Sequence, residues 1–201
     1  MATPRLWDYI KLMWFRTLFL LAVTTCAAAQ NSVLKFPLPT KDFVHQQFGD
    51  TCSLESAWPP MIADLNGDNV DDIVIVARCK NPLIDQGEKN YKVVDPMDSF
   101  FGYGNPKITT GFAPDDPKLR GIDLLVIHGS GSDAWRTASP LEKFVIINLP
   151  LKTLSLKRMK AKKKKVVNAI YVEEATGDAM TSVIFWDGKK YRYEPLGSAM
   201  E

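Results

Sequence analysis

Cysteine and histidine, the residues that build most zinc and thiol centres, are scarce: 201 residues hold three cysteines and two histidines. His45 and His128 lie far apart in sequence, and no cysteine–histidine spacing fits a zinc site. An excess of one charge is missing too. Lys and Arg number 25 against 23 Asp and Glu, for a net charge of +2. Residues 1–29 hold three of those bases (Arg5, Lys11, Arg16) and one acid (Asp8), so the rest carries 22 of each. That balance excludes a broadly basic nucleic-acid-binding domain. Long apolar runs are absent: the longest, residues 17–29, has 13 residues, short of the roughly 20 that span a bilayer as a helix. Sustained helical periodicity with caps is absent as well, leaving only residues 140–143 and the N-terminal apolar segment as helical candidates. At 46% hydrophobic and 24% charged, the composition is that of a globular chain rather than a disordered one.

What is there begins with an export pattern. Arg16, the apolar run after it and Ala27, Ala28 and Ala29 follow the charged, hydrophobic, small-residue order of a secretory signal, with an A-x-A cleavage pattern before Gln30. Met13 is a candidate alternative start, because it precedes a more ordinary signal. The expectation is an exported chain, periplasmic or extracellular, with no transmembrane span after residue 29. An uncleaved anchor and a lipid anchor at Cys26 are the alternatives, although Thr25 departs from a lipobox. With Cys26 removed, Cys52 and Cys79 form an even pair. In an oxidising compartment they either pair in a disulfide or remain two buried thiols.

Apolar runs rich in β-branched residues predict strands at 72–77, 123–128, 143–148, 151–159, 166–173 and 181–186. Asp187 and Gly188 mark a tight hairpin turn, with a returning strand at 189–194; a two-residue loop would set Ile184 opposite Tyr191. Residues 30–60 read as an extended lead-in. Residues 80–121, dense in Gly, Pro and aromatics, read as a long ordered loop pinned to the core. The expected fold is mainly β: a compact antiparallel domain over 61–201 with blade-like hairpins. The apolar strands at 72–76, 123–127 and 182–186 also suggest a weak internal repeat.

The sharpest motif runs from Asp64 to Asp72. Side-chain oxygens stand at the first, third, fifth and ninth positions (Asp64, Asn66, Asp68, Asp72), and the Val70 carbonyl occupies the seventh. Calcium takes six to eight oxygens, and carboxylates in a tight turn can converge on it. An EF-hand would place Gly and Glu where Asn69 and Ile75 stand, and a dockerin loop would be followed by a helix rather than by Ile73, Val74, Ile75 and Val76. The stretch from Ile62 to Ile75 resembles the FG-GAP or VCBS repeat. That resemblance implies strand, liganding turn, strand, with calcium held at Asp64, Asn66, Asp68 and Asp72. The 172 residues after residue 29 are too few for the seven repeats of a closed seven-bladed propeller, and the units near Asp123 and Thr181 lack the acidic loop. The chain also resembles small secreted bacterial proteins that end in a hairpin like the one from Trp186 to Tyr191, which implies export and a β-rich domain. Without an ion, the loop would be an Asx-rich turn satisfied by its own amides.

Other constellations are less specific. His128 and the Gly/Ser turn after it resemble an oxyanion-hole segment, but no G-x-S-x-G elbow and no later histidine accompany them. Lys160, Lys162, Lys163, Lys164 and Lys165, with Lys157 and Arg158, form a candidate anion-binding patch or a solvated turn. Trp135, Trp186, Tyr191 and Tyr193 offer either a sugar-stacking platform or core packing. The expected function is a non-enzymatic exported module with one structural calcium hairpin, envelope-associated or binding a glycan or a protein, and with no nucleic-acid partner. A glycan hydrolase drawing acids from Asp115, Asp116 or Asp133, and a metal-free structural envelope protein, are the alternatives.

Overall fold

A computed structural model describes residues 38–101, 122–149, 151–160, 166–174 and 180–198. The proposed signal, Cys26, Met13, Asp115, Asp116 and Lys162 to Lys165 lie outside the described residues. Helix α1 (Lys41–Phe48) opens the described chain. The Thr40 hydroxyl caps it by accepting from the Phe43 N–H at 3.2 Å, and it stops at Gly49, whose φ of 86° suits glycine. Ten strands follow: β1 (Cys52–Leu54), β2 (Met61–Ala63), β3 (Asp72–Cys79), β4 (Lys92–Val94), β5 (Asp123–His128), β6 (Glu142–Ile146), β7 (Leu151–Lys160), β8 (Val166–Glu174), β9 (Met180–Trp186) and β10 (Tyr191–Ser198). Two short helices, α2 (Gln86–Lys89) and α3 (Pro96–Phe101), flank β4.

Among the described residues the fold is mainly β, in two sheets, neither closed into a barrel. The first has the order β1-β3-β5-β6-β4, with β2 also on β3; it is antiparallel except that β4 runs parallel to β6. The second is an antiparallel meander, β10-β9-β8-β7. Strands β3, β5 and β6 are apolar at successive positions because both faces of their sheet are covered. Val74, Val76, Leu124, Val126, Phe144 and Ile146 face the second sheet and meet Ile170, Val172, Ile184, Trp186, Tyr191 and Tyr193. The alternate residues Ile73, Ile75, Leu125, Ile127 and Val145 pack under α1, against Val44 and Phe48. Cys52 and Cys79 are register partners across β1 and β3 and form a disulfide. On a chain-entropy argument its 27-residue span stabilises the fold by about 3.5 kcal/mol.

Several expectations are corrected. The stretch 30–60 is not simply extended, since α1 and β1 lie within it. Within the expected loop 80–121, residues 86–89, 92–94 and 96–101 form α2, β4 and α3, and residues 102–121 lie outside the described residues. Residues 140–143 are not helical, because β6 begins at Glu142 and pairs with β5. The three similar strands do not form stacked units: β3 and β5 are antiparallel neighbours, and β9 belongs to the other sheet. The last hairpin turns through four residues rather than two. Tyr191 therefore opposes Trp186, and Ile184 opposes Tyr193. The cause is Asp187, whose Oδ1 accepts from the Lys189 and Lys190 amides at 2.9 and 3.0 Å and so holds both in the turn.

Candidate functional site

The 64–72 loop joins β2 to β3 in an antiparallel pair. Its chain curls through two left-handed residues, Gly67 at φ 75° and Asn69 at φ 67°. Asparagine is, after glycine, the residue that best tolerates this conformation. Asn69 thus supplies the turn for which an EF-hand would use glycine.

The aspartates hold this shape by accepting the loop's own amides. Asp64 Oδ1 accepts from Gly67 N–H at 2.6 Å and Asp68 N–H at 3.1 Å, and its Oδ2 accepts from Asn69 N–H at 2.9 Å. Asn66 Oδ1 accepts from Asp68 N–H at 2.9 Å, and Asn66 Nδ2 donates to Asp68 Oδ2 at 2.9 Å. Asp68 Oδ1 accepts from Val70 N–H at 2.8 Å. Asp64 is half-buried, while Asp68 and Asp71 are exposed.

Asp72 behaves differently. It is fully buried, and its Oδ2 accepts from Leu65 N–H at 2.7 Å and Asn66 N–H at 3.3 Å. Its Oδ1 accepts from Gly129 N–H at 2.8 Å. One carboxylate therefore fastens the loop to itself and to the turn after β5. Burial pushes the Asp72 carboxyl up to about 7, against the pull of the Gly129 and Leu65 amides, and nearby Asp68 adds to the rise. Two further ties fix the loop. Trp135 N–H donates to the Asp71 carbonyl at 3.1 Å, and Asn168 Nδ2 of β8 donates to the Asp64 carbonyl at 2.8 Å. The loop is thus anchored to both sheets. Gly129 is needed at this junction, because a Cβ there would sit 2.4 Å from the Asp71 carbonyl oxygen and 2.6 Å from the Ala134 carbonyl carbon.

The spacing named Asp64, Asn66, Asp68 and Asp72 as ligands; the first three share one turn, with the Val70 carbonyl in the same loop, whereas Asp72 is buried with both oxygens engaged by the Leu65, Asn66 and Gly129 amides and anchors the loop instead. Among the described residues, no three His, Cys, Asp or Glu side chains are set to hold a metal. A calcium shell here has to draw on Asn66 and the Val70 carbonyl as well as on carboxylates. The donor chemistry fits a hard cation: Asp64 Oδ2 and both Asp68 oxygens accept one N–H each and keep a lone pair.

The other candidates fall elsewhere. His128 is buried and shares a 2.8 Å hydrogen bond with the Tyr191 hydroxyl. Phe144 and Trp186 crowd it, with ring centroids at 5.1 and 5.0 Å. Burial holds it down to about 4 although Glu142, Asp68 and Asp64 favour its charged form. It is a core histidine. Asp133 is exposed at the tip of its turn.

The aromatic platform does not form. Trp135 is buried beneath α1 against Phe43, at 5.5 Å, whereas Trp186, Tyr191 and Tyr193 are buried between the sheets. These are opposite faces of the first sheet.

Sequence reasoning read Gly129 only as part of an oxyanion-hole-like turn and did not single out Asn168. Gly129 follows a buried strand immediately, a usable cue to close backbone approach. Asn168, a polar residue inside the apolar β8, is the second cue.

Comparison with known proteins finds no match among family models, curated proteins or solved structures.

Proposed function

We propose that the chain is an exported, non-enzymatic β module whose 64–72 hairpin takes one calcium ion and thereby stiffens the junction between its two sheets. The reading is carried by one observation: Asp64, Asn66 and Asp68 share a turn that two left-handed residues curl and that Asp72 and Asn168 tie to both sheets. Asp64, Asn66, Asp68 and the Val70 carbonyl hold the ion, and Asp72, at the ninth position, sets the loop from below. The ion would supply positive charge to a loop that has four acids and no base. The disulfide between Cys52 and Cys79 supports export, because such bonds persist in oxidising compartments. On this reading the module acts by presenting a surface to a glycan or protein partner.

A thermal melt tests it. In millimolar calcium the melting temperature rises by a few degrees over that in chelator, as expected when an ion binds only the folded state. The double variant Asp64→Asn, Asp68→Asn loses the rise. An unchanged melting temperature favours the second reading, a metal-free structural protein. The amides that already satisfy the loop's carboxylates support that alternative.

A further inference from the structure

A strand at the edge of a sheet presents a row of unpaired N–H and C=O groups, and proteins blunt such edges in recognisable ways. In the first sheet the outer strands β1, β2 and β4 have three residues each. In the second, β10 carries Pro195, shifts register before Gly197 and lies against α3, where Phe100 meets Tyr193 at 5.6 Å. Strand β7 is different. It has ten residues, neither proline nor glycine, and an unbroken register with β8 from Thr153 to Lys160. Among the described residues no strand pairs with its other side. Which of its groups lie there follows from Asn168, the register partner of Arg158. The Asn168 N–H donates to the Asp64 carbonyl at 3.4 Å and so does not bond β7. Antiparallel residue pairs alternate between bonded and non-bonded. Arg158, and by the same alternation Leu154, Leu156 and Lys160, therefore turn their backbone N–H and C=O groups to the free edge. Leu154 and Leu156 are only half-buried against the core between the sheets. Lys157, Arg158 and Lys160 are exposed, and no ion pair holds them among the described residues.

We infer that an extended acidic segment of a partner protein adds to the free edge of β7 as a further strand. Main-chain hydrogen bonds give such an addition its affinity, and alternate side chains give it selectivity. The charge of β7 decides the partner. The strand holds four cations and no acid, and only Lys152 is neutralised, by Glu173 at 2.6 Å. A second copy of β7 would set cations beside cations, which is unfavourable across paired strands. An acidic strand gains from the same residues: its carboxylates stand beside Lys157, Arg158 and Lys160, and its apolar side chains beside Leu154 and Leu156. The cations alternate between the two faces of the sheet, and so do the side chains of an added strand. A polysaccharide or nucleic acid would engage the cations but neither the edge amides nor the leucines. The inference deepens the reading of the chain as a binding module, by giving it a protein partner, and does not need calcium.

Titration of labelled, blocked peptides of about ten residues with the full chain in chelator, read by fluorescence anisotropy, tests it. The probe alternates valine and threonine over one half and closes with glutamates, and it is made in both sequence orders to offer parallel and antiparallel addition. One order binds about tenfold or more tightly than its lysine counterpart, and added salt weakens the binding. N-methylation of all the peptide's amides abolishes binding while leaving its charge. Arg158→Gln loses severalfold. Arg158→Pro, which also removes an edge N–H but no bond to β8, loses about tenfold or more. Should that variant fail to fold, the N-methylated peptide still separates edge pairing from charge. Equal binding of the glutamate and lysine probes, binding of neither order, or an N-methylated probe that binds like its parent overturns the inference, the last in favour of a site for any polyanion. A chain that dimerises without peptide, and no longer does so as Arg158→Pro, overturns it in favour of a second copy. Because chelator is present throughout, failure here is distinct from failure of the calcium melt.

Discussion

The loop at 64–72 and the turn at 187–190 use the same device with different charge outcomes. In each, an aspartate at the start of the turn accepts the amides that follow it: Asp64 from Gly67, Asp68 and Asn69, and Asp187 from Lys189 and Lys190. At 187–190 the carboxylate also takes Arg192 Nε at 2.6 Å. Partial burial pushes Asp187 up, but Arg192 and the two amides outweigh it and hold it below the ordinary carboxylate value. The longer loop has no base of its own. It gathers Asp64, Asp68, Asp71 and Asp72, and no ion pair to any of them forms among the described residues. Backbone amides can shape an acidic turn, but they do not neutralise it. The turn with a built-in arginine is complete, and the other is left with the charge that a cation would offset.

The largest effect separating the two turns should come from Asp72→Ala. It strands the Leu65, Asn66 and Gly129 amides, and at about 1–3 kcal/mol for each buried unpaired donor the loss is several kcal/mol in urea unfolding. Asp187→Ala, at an exposed turn, costs about 1 kcal/mol. Comparable losses would mean that Asp72 is not an anchor. Gly129→Ala comes next. Its Cβ meets backbone on two sides, so a loss of about 2–4 kcal/mol is expected in the same assay.

The pH dependence separates the turns by sign. Burial raises both Asp72 and Asp123 to about 7; Asp123 accepts from the Cys79 amide in the core. A carboxyl raised on folding contributes stability that is full below its unfolded value and lost as pH rises through its folded value. Melting temperature should therefore fall from about pH 4 towards pH 8, and Asp123→Asn should flatten that fall. Asp187 is lowered, so its contribution is lost only on acidification, and Asp187→Asn should alter only the acid limb. His128, held down to about 4, also loses stability as pH falls and partly offsets the carboxyls between its unfolded and folded values. An alkaline limb unchanged by Asp123→Asn would place that carboxyl in its ordinary range.

Much of this architecture was legible in the sequence, and the misses have physical causes. β3 and β5 could be read almost to their ends, because β-branched residues buried on both faces leave continuous apolar runs. α1 was missed because it is only eight residues long, with few apolar positions; its cues were the caps, Thr40 and Gly49. α2, β4 and α3 are too short for any period to emerge. The final turn was read two residues short because a carboxylate that captures two further amides lengthens a hairpin, and composition does not record which amides are captured. The spacing of Asp64, Asn66, Asp68 and Asp72 correctly placed them in one turn. It did not distinguish the first three, at or near the surface, from Asp72, which is buried where the apolar strand begins. Trp186 of β9 shares a face with Tyr191 and Tyr193 of β10, while its neighbour Phe185 takes the other face, and only the packing of the second sheet on the first decided which of the two faces points inward.

Calorimetric titration of calcium into the chelator-stripped chain tests the central claim most directly. The account predicts one ion per chain, with a dissociation constant of about 10⁻⁴–10⁻³ M, as in extracellular modules. Asp64→Asn, Asp68→Asn should abolish the binding, and Asp187→Asn should leave it intact. No saturable heat up to about 10 mM calcium, or binding that survives the double variant, would contradict it.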